Sequence, residues 1–264
     1  MIHTLQDAQK QSSAEISTFG ARVLSWNHAG RDMLFMPALG DSDERAAPHG
    51  GIPVLFPQFG LFGPGRKHGV VRDMVWELDT RGDDFLVMRC KLAQDAHVPE
   101  AEVCLRVELT PEGLKTYFSV TNSSAETIRF TCGLHTYLRV SDVAAVQLTG
   151  LENTAWHDAL NGLQARAPAS TPLSGPVNVD RVYVDAPARL ALLDSGASVM
   201  IEQAGFSDTV VWNPGAELAS DLSDLQNEAW RHFLCVEAAQ IMTPVELPAG
   251  ATWQGHQRIQ LEYA

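Results

Sequence analysis

The stretch from His232 to Ile241, HFLCVEAAQI, sets one acidic side chain, Glu237, inside an almost unbroken apolar run. A run of this length and character reads as a strand buried on both faces. A carboxylate placed there gives up its hydration and needs partners or a ligand in exchange. The stretch from Phe130 to Leu138, FTCGLHTYL, repeats the anomaly with His135 at its middle. A single group of this kind is most often a satisfied structural residue. Two groups of acid/base type, in two separate core strands, point toward a site.

The rest of the chain reads as sheet. AEISTF, ARVLSWNH and DMLFM between Ser13 and Met36 are three short strands, turned at Gly20 and at Gly30-Arg31. VWEL and FLVMRCKL flank a turn at Arg81-Gly82-Asp83. Between Glu102 and Thr110, Val103, Leu105, Val107 and Leu109 alternate with Cys104, Arg106 and Glu108. After the Pro111-Glu112-Gly113 turn, Leu114, Thr116, Phe118 and Val120 alternate back, as a half-buried antiparallel pair requires. Further strands are expected near Ala145–Leu148, Val182–Val184, Arg189–Leu193, Val199–Gln203, Thr209–Trp212 and Gln257–Tyr263. Helix is scarce, and Ser220 to Arg231, with Ser220 as the cap, is the best candidate. The pattern predicts a large all-β antiparallel sandwich built as one domain over residues 1–264.

One segment breaks the rhythm. Pro37 to Asp73 is dense in Gly and Pro yet carries Ile52, Val54, Leu55, Phe56, Phe59 and Phe62. Linkers are polar, so this reads as a folded loop packed on the core, of the kind that builds sites.

Charge narrows the partners. A net charge of -13 argues against nucleic acid and against an anionic membrane surface, and still allows a small anionic ligand in a local basic pocket. No apolar run reaches membrane-spanning length, and the first residues, MIHTLQDAQKQ, lack the apolar core of a signal peptide. Cys90, Cys104, Cys132 and Cys235 are widely spaced in expected strands and read as reduced core residues, which fits a cytoplasmic location. Oligomeric state is not legible.

Among chemistries, metal binding is not expected, because none of the nine histidines forms an H-x-H or H-x-x-x-H pair and no cysteine pair has zinc spacing. Dinucleotide, P-loop and G-x-S-x-G signatures are also missing. Acid/base chemistry by His135 and Glu237 on a neutral polar substrate remains. His68 in KHGVVR and Asp180 in NVDRVY are further candidates. Arg72, with Arg66 and Lys67 nearby, offers positive charge to an anionic group, unless these residues form a solvated loop face. Trp212 in VVWNPG is either a core residue or a stacking surface for a sugar.

Taken together, GGIPVLFPQFG, HGVVRDMVWEL, GLHTYLRV, VDRVY, VVWNPG and FLCVEAAQI resemble, in this order, the aldose 1-epimerase superfamily. The likeness is greatest to its hexose-6-phosphate mutarotases, the glucose-6-phosphate 1-epimerases. It runs from GARVLSW to LPAGATWQGHQRIQL, nearly the whole chain. The resemblance implies a galactose mutarotase-like β-supersandwich with few short helices that interconverts the α- and β-anomers of an aldose. It implies that His135 donates a proton to the ring oxygen and that Glu237 takes the proton of the C1 hydroxyl. His68 and Asp180 would bind the sugar, with Gln58 of the FPQFG loop and Trp212 also in the binding set, and no cofactor is implied. The chain departs from the phosphate-specific pattern at one place: His49 stands where those relatives have an arginine before G-G-I-P. Arg66 and Lys67 are additional, and Arg72 is kept. The expected substrate is therefore a hexose 6-phosphate or a related free aldose. A non-catalytic carbohydrate-binding sandwich leaves the His135–Glu237 pair unused, and a glycoside hydrolase using Glu237 and Asp180 leaves His135 idle.

Overall fold

Alternation of apolar and polar residues builds the broader of two facing sheets. Ala101–Thr110 and Gly113–Asn122 pair antiparallel around a tight turn, with Val103, Leu105, Val107, Leu114, Phe118 and Val120 buried on one side. They belong to a nine-stranded sheet that also contains Phe85–Leu92, Ala197–Ala204 and Thr252–Tyr263. The computed structural model describes residues 1–37, 49–225 and 228–263. Within these, the polar amino-terminal residues add Ile2–Gln6 to a four-stranded meander, a strand that pattern alone did not mark.

The Glu237 strand, Phe233–Leu247, is the spine of an eight-stranded sheet. Asp208–Asn213 lies on one side of it, and Ile128–Leu134 with Tyr137–Arg139 lies on the other. Its first seven residues are buried because each face is covered. Successive side chains point to opposite faces. Leu234, Val236 and Ala238 join the main core between the two sheets. Phe233 and Cys235 join one small apolar cluster, and Ala239 and Ile241 another. Glu237 falls between those two clusters, on the face turned away from the main core. Across that core, Phe56 and Phe130 of the eight-stranded side meet Phe118 and Trp253 of the other.

Three expectations need correction. The stretch from Phe130 to Leu138 is two strands, interrupted at His135-Thr136, where the Thr136 N–H turns back to the Leu134 carbonyl. DMLFM contributes only Arg31–Asp32 and an isolated bridge at Leu34. The helix lies earlier than Ser220, at Gly215–Ser220, where the Asn213 side chain accepts the Gly215 N–H. Ser220 ends it, its hydroxyl bonding back to the Glu217 carbonyl, and three-residue turns then carry the chain to Leu225. Residues 226–227 of the expected helix and 38–48 of the Gly/Pro-rich segment lie outside the described residues. The described part of that segment is folded on the core: Ile52, Val54, Leu55 and Phe56 are fully buried. All four cysteines are free thiols. No helix among the described residues is long and apolar enough to cross a membrane.

Candidate active site

Register brings the chemistry together. Leu134 pairs with Ala238, and the same register resumes where Tyr137 pairs with Cys235. Continued through the interruption, it sets His135 opposite Glu237. His135 Nδ1 lies 3.4 Å from Glu237 Oε2. Both atoms are buried and lack a hydrogen-bond partner. One row along the sheet, Asp180 pairs with Trp212, Trp212 with Cys235, and Cys235 with Tyr137. Residues two apart on a strand share a face, so Asp180, Trp212, Cys235, Tyr137, His135 and Glu237 all lie on one face of the sheet. Tyr137 stacks flat on His135, centroids 4.7 Å apart, and Trp212 meets the His135 ring edge-on at 5.9 Å. The apolar clusters at either end leave this polar patch as the place for a ligand.

Two loop histidines cover the patch. The ring centroids of His68 and His135 are 5.6 Å apart. The Gly60 N–H donates to His68 Nδ1 at 3.3 Å, which puts the proton of the neutral ring on Nε2 and makes that nitrogen a donor. His49 stacks on Trp212 with centroids 5.9 Å apart. The Asp224 carboxylate holds it, accepting the His49 backbone N–H at 2.6 Å and facing Nδ1 at 3.0 Å. A left-handed glycine follows each. A Cβ on Gly51 would stand 2.1 Å from the Val23 carbonyl oxygen, and one on Gly69 2.0 Å from that of Phe56. Only glycine lets either loop pass so close.

The basic residues divide by role. Arg66 is mostly exposed and paired with Asp73 at 2.8 Å. Lys67 is exposed, and its charge acts on both His68 and Asp180. Arg72 is more enclosed, and its charge reaches His68 and His135. Arg22 is buried within the electrostatic reach of Tyr137, Arg72, Asp73 and Asp224. Sequence reasoning passed over Arg22 and Asp224, although a cation opening the otherwise apolar VLSW strand was a usable signal. Gln58 serves the loop: its amide donates to the Gly60 and Gly65 carbonyls and accepts the Gly65 N–H. A separate cavity of about 1040 Å³ lies behind that loop, lined by Phe62, His97 and Arg129, and includes neither His135 nor Glu237.

Burial governs the ionisations. It pushes the Glu237 carboxyl well above the usual range, and the charge of Asp180 adds to the rise. It pulls His135 well below its ordinary value, helped by His68, His49 and Arg72. Both shifts favour the uncharged form of each group. Burial, with Arg72 and Lys67, lowers His68 to about 3. Burial raises Asp180 to about 6 against the opposing charge of Lys67. A carboxyl and an imidazole facing each other, their facing atoms without a hydrogen-bond partner, can pass protons to and from a polar ligand.

Comparison with known proteins places the chain in a family. The family model described as aldose 1-epimerase matches residues 1–260. A Cenchrus ciliaris protein named "Putative glucose-6-phosphate 1-epimerase" is 31% identical over 261 residues, covering 92% of this chain and 79% of its own. A protein of the same name from Escherichia coli K12 is 27% identical over 254 residues, covering 87% and 80%. The crystal structure of YeaD from Salmonella typhimurium superposes with a TM-score of 0.84 at 21% identity, covering 96% of this chain and 88% of that one.

Proposed function

The chain belongs to the aldose 1-epimerase family, and from that premise we propose that His135 and Glu237 interconvert the anomers of a hexose 6-phosphate. The observation that carries the assignment is the facing of His135 Nδ1 and Glu237 Oε2, two buried atoms 3.4 Å apart with no other partner.

The proton begins on the Glu237 side of the pair. As the sugar enters between the two groups it passes to His135, leaving a carboxylate and an imidazolium with the total charge unchanged. Glu237 then takes the proton of the C1 hydroxyl while His135 protonates the ring oxygen. The C1–O5 bond breaks to give the open-chain aldehyde. Rotation about C1–C2 presents the other carbonyl face. Return of the O5 proton to His135, attack of O5 on C1 and protonation of the carbonyl oxygen by Glu237 close the ring as the other anomer. No atom or proton is gained or lost over the cycle. Tyr137, flat against His135, holds the imidazole plane. His68 donates through Nε2 to a sugar oxygen, Asp180 accepts from hydroxyls, and Trp212 offers its face to the ring.

Arg72 and Lys67 supply the positive field for the phosphate. His49, engaged with Asp224, forms the wall where the phosphate-specific pattern has an arginine. The enzyme acts as one domain in the cytoplasm, which its four free thiols fit. Its acidic surface is unsuited to nucleic acid or membrane partners. Exchange NMR on the two C1 protons of glucose 6-phosphate, with the spontaneous rate subtracted, tests the reading. Exchange at the spontaneous rate with both glucose 6-phosphate and glucose would sink it.

A further inference from the structure

The proposed reaction uses His135 and Glu237 and leaves Cys235 without a task. Cys235 sits two residues before Glu237, on the same face and opposite Tyr137. One ligand atom each from His135, Cys235 and Glu237 lies within 4.8 Å of the others. Two of the three, His135 Nδ1 and Glu237 Oε2, are buried and unpartnered.

We propose that these three side chains form a binding site for a soft divalent cation such as Zn²⁺, which competes with the sugar for the cleft. An imidazole nitrogen, a carboxylate oxygen and a thiolate are each donors that zinc accepts, and three protein ligands leave a fourth position open. Tetrahedral zinc with bonds near 2.0–2.2 Å keeps nitrogen and oxygen ligands about 3.4 Å apart. The observed His135–Glu237 separation is 3.4 Å. The longest donor separation has to shorten by about 1 Å to reach zinc–sulfur geometry. Binding the ion displaces the protons of the carboxyl and the thiol. Asp180, whose charge reaches both Cys235 and Glu237, favours a cation at this point, while Arg72 opposes it. The fourth position faces the cleft, where water or a sugar hydroxyl completes the shell. An ion held there occupies the acid and the base together. The competition rests on the assignment of the chemistry to His135 and Glu237, whereas the metal site itself does not.

Co²⁺ added to the whole chain is expected to give a thiolate-to-metal charge-transfer band that is absent in Cys235→Ser and disappears on adding glucose 6-phosphate. With free Zn²⁺ held constant by a metal buffer, the apparent KM for glucose 6-phosphate should rise with kcat unchanged. In Cys235→Ser, active without metal, inhibition should weaken about tenfold or more. Cys235→Ala repeats the test should the serine variant fold poorly, and the cobalt band of the unaltered chain needs no variant. A missing band, or equal Zn²⁺ inhibition with and without Cys235, overturns the site. A band displaced by sugar, with turnover at sugar well below KM undiminished by saturating Zn²⁺, overturns instead the assignment of His135 and Glu237.

Discussion

The side-chain amide of Gln257 crosses the core and donates to the backbone carbonyl of Val236 at 3.0 Å. Val236 immediately precedes Glu237, and the Gln257 carbonyl accepts the hydroxyl of Thr136, which immediately follows His135. One buried amide thus fixes the backbone beside both members of the pair, where the Phe130–Leu138 stretch leaves the ladder. Gln257→Leu strands a buried carbonyl and a buried hydroxyl, at a cost of about 1–3 kcal/mol for each unsatisfied group. Denaturant titration should show that loss, with kcat falling more than KM rises. Unchanged stability would mean the two bonds are not made in solution.

Replacing the acid/base groups separates chemistry from folding. Glu237→Gln and His135→Asn should each slow anomerisation by about 10²–10⁴-fold, measured by C1 proton exchange. Burial disfavours the charged carboxylate, so Glu237→Gln should melt at or above the wild-type temperature while inactive. Turnover within a few-fold of wild type in either variant would remove that residue from the mechanism.

Asp180 couples stability to pH. Its carboxyl titrates at about 6 in the folded chain against an ordinary value of 3.8, so the folded state binds the proton more tightly. The stability this brings is complete below about pH 4 and is lost as pH rises through about 6. Asp180→Asn should therefore be more stable than wild type at pH 7, by roughly 2–3 kcal/mol, with the gap closing toward pH 4. The same variant should bind sugar more weakly. Equal stability at pH 7 would place Asp180 in a well-solvated setting.

The phosphate end is decided by comparing kcat/KM for glucose 6-phosphate and glucose. Losing one charge-assisted bond costs about 1.5–3 kcal/mol, so Arg72→Ala should lower the value for the phosphate roughly ten- to over a hundredfold and leave glucose little changed. Asp224→Asn, which removes the anion holding His49, should shift preference further toward the phosphate. A clear preference for free glucose that survives Arg72→Ala would make this loop a solvated face.

The strands and the facing of His135 and Glu237 were legible because each produces a local signal. Alternation marked Ala101–Thr110 and Gly113–Asn122, and a lone charge in an apolar run marked Glu237. What the sequence hid depends on contacts between distant segments. His49 and Asp224 are 175 residues apart, and an aspartate in a Ser/Asp/Leu-rich stretch reads as a helix-surface residue until its partner is seen. Beyond Ser220, the described part of the expected helix keeps only a short 3-10 turn at Ala229–His232. The hydrogen bonds of Gln58 to Gly60 and Gly65 carry no sequence pattern either. The break at His135-Thr136, where the Thr136 N–H bonds the Leu134 carbonyl, left no trace in a β-prone run.

Glu237 sits on the central strand of its sheet, covered on both faces, so its backbone amide opens to solvent only when the molecule as a whole unfolds. Hydrogen exchange there should proceed at the slowest rate in the protein. Turnover then becomes a gauge of global folding, because no folded population exists in which this strand has come apart. The histidines His49 and His68 ride on glycine-jointed loops that can loosen first. On the approach to denaturation, affinity for the sugar should fade before the chemical step does.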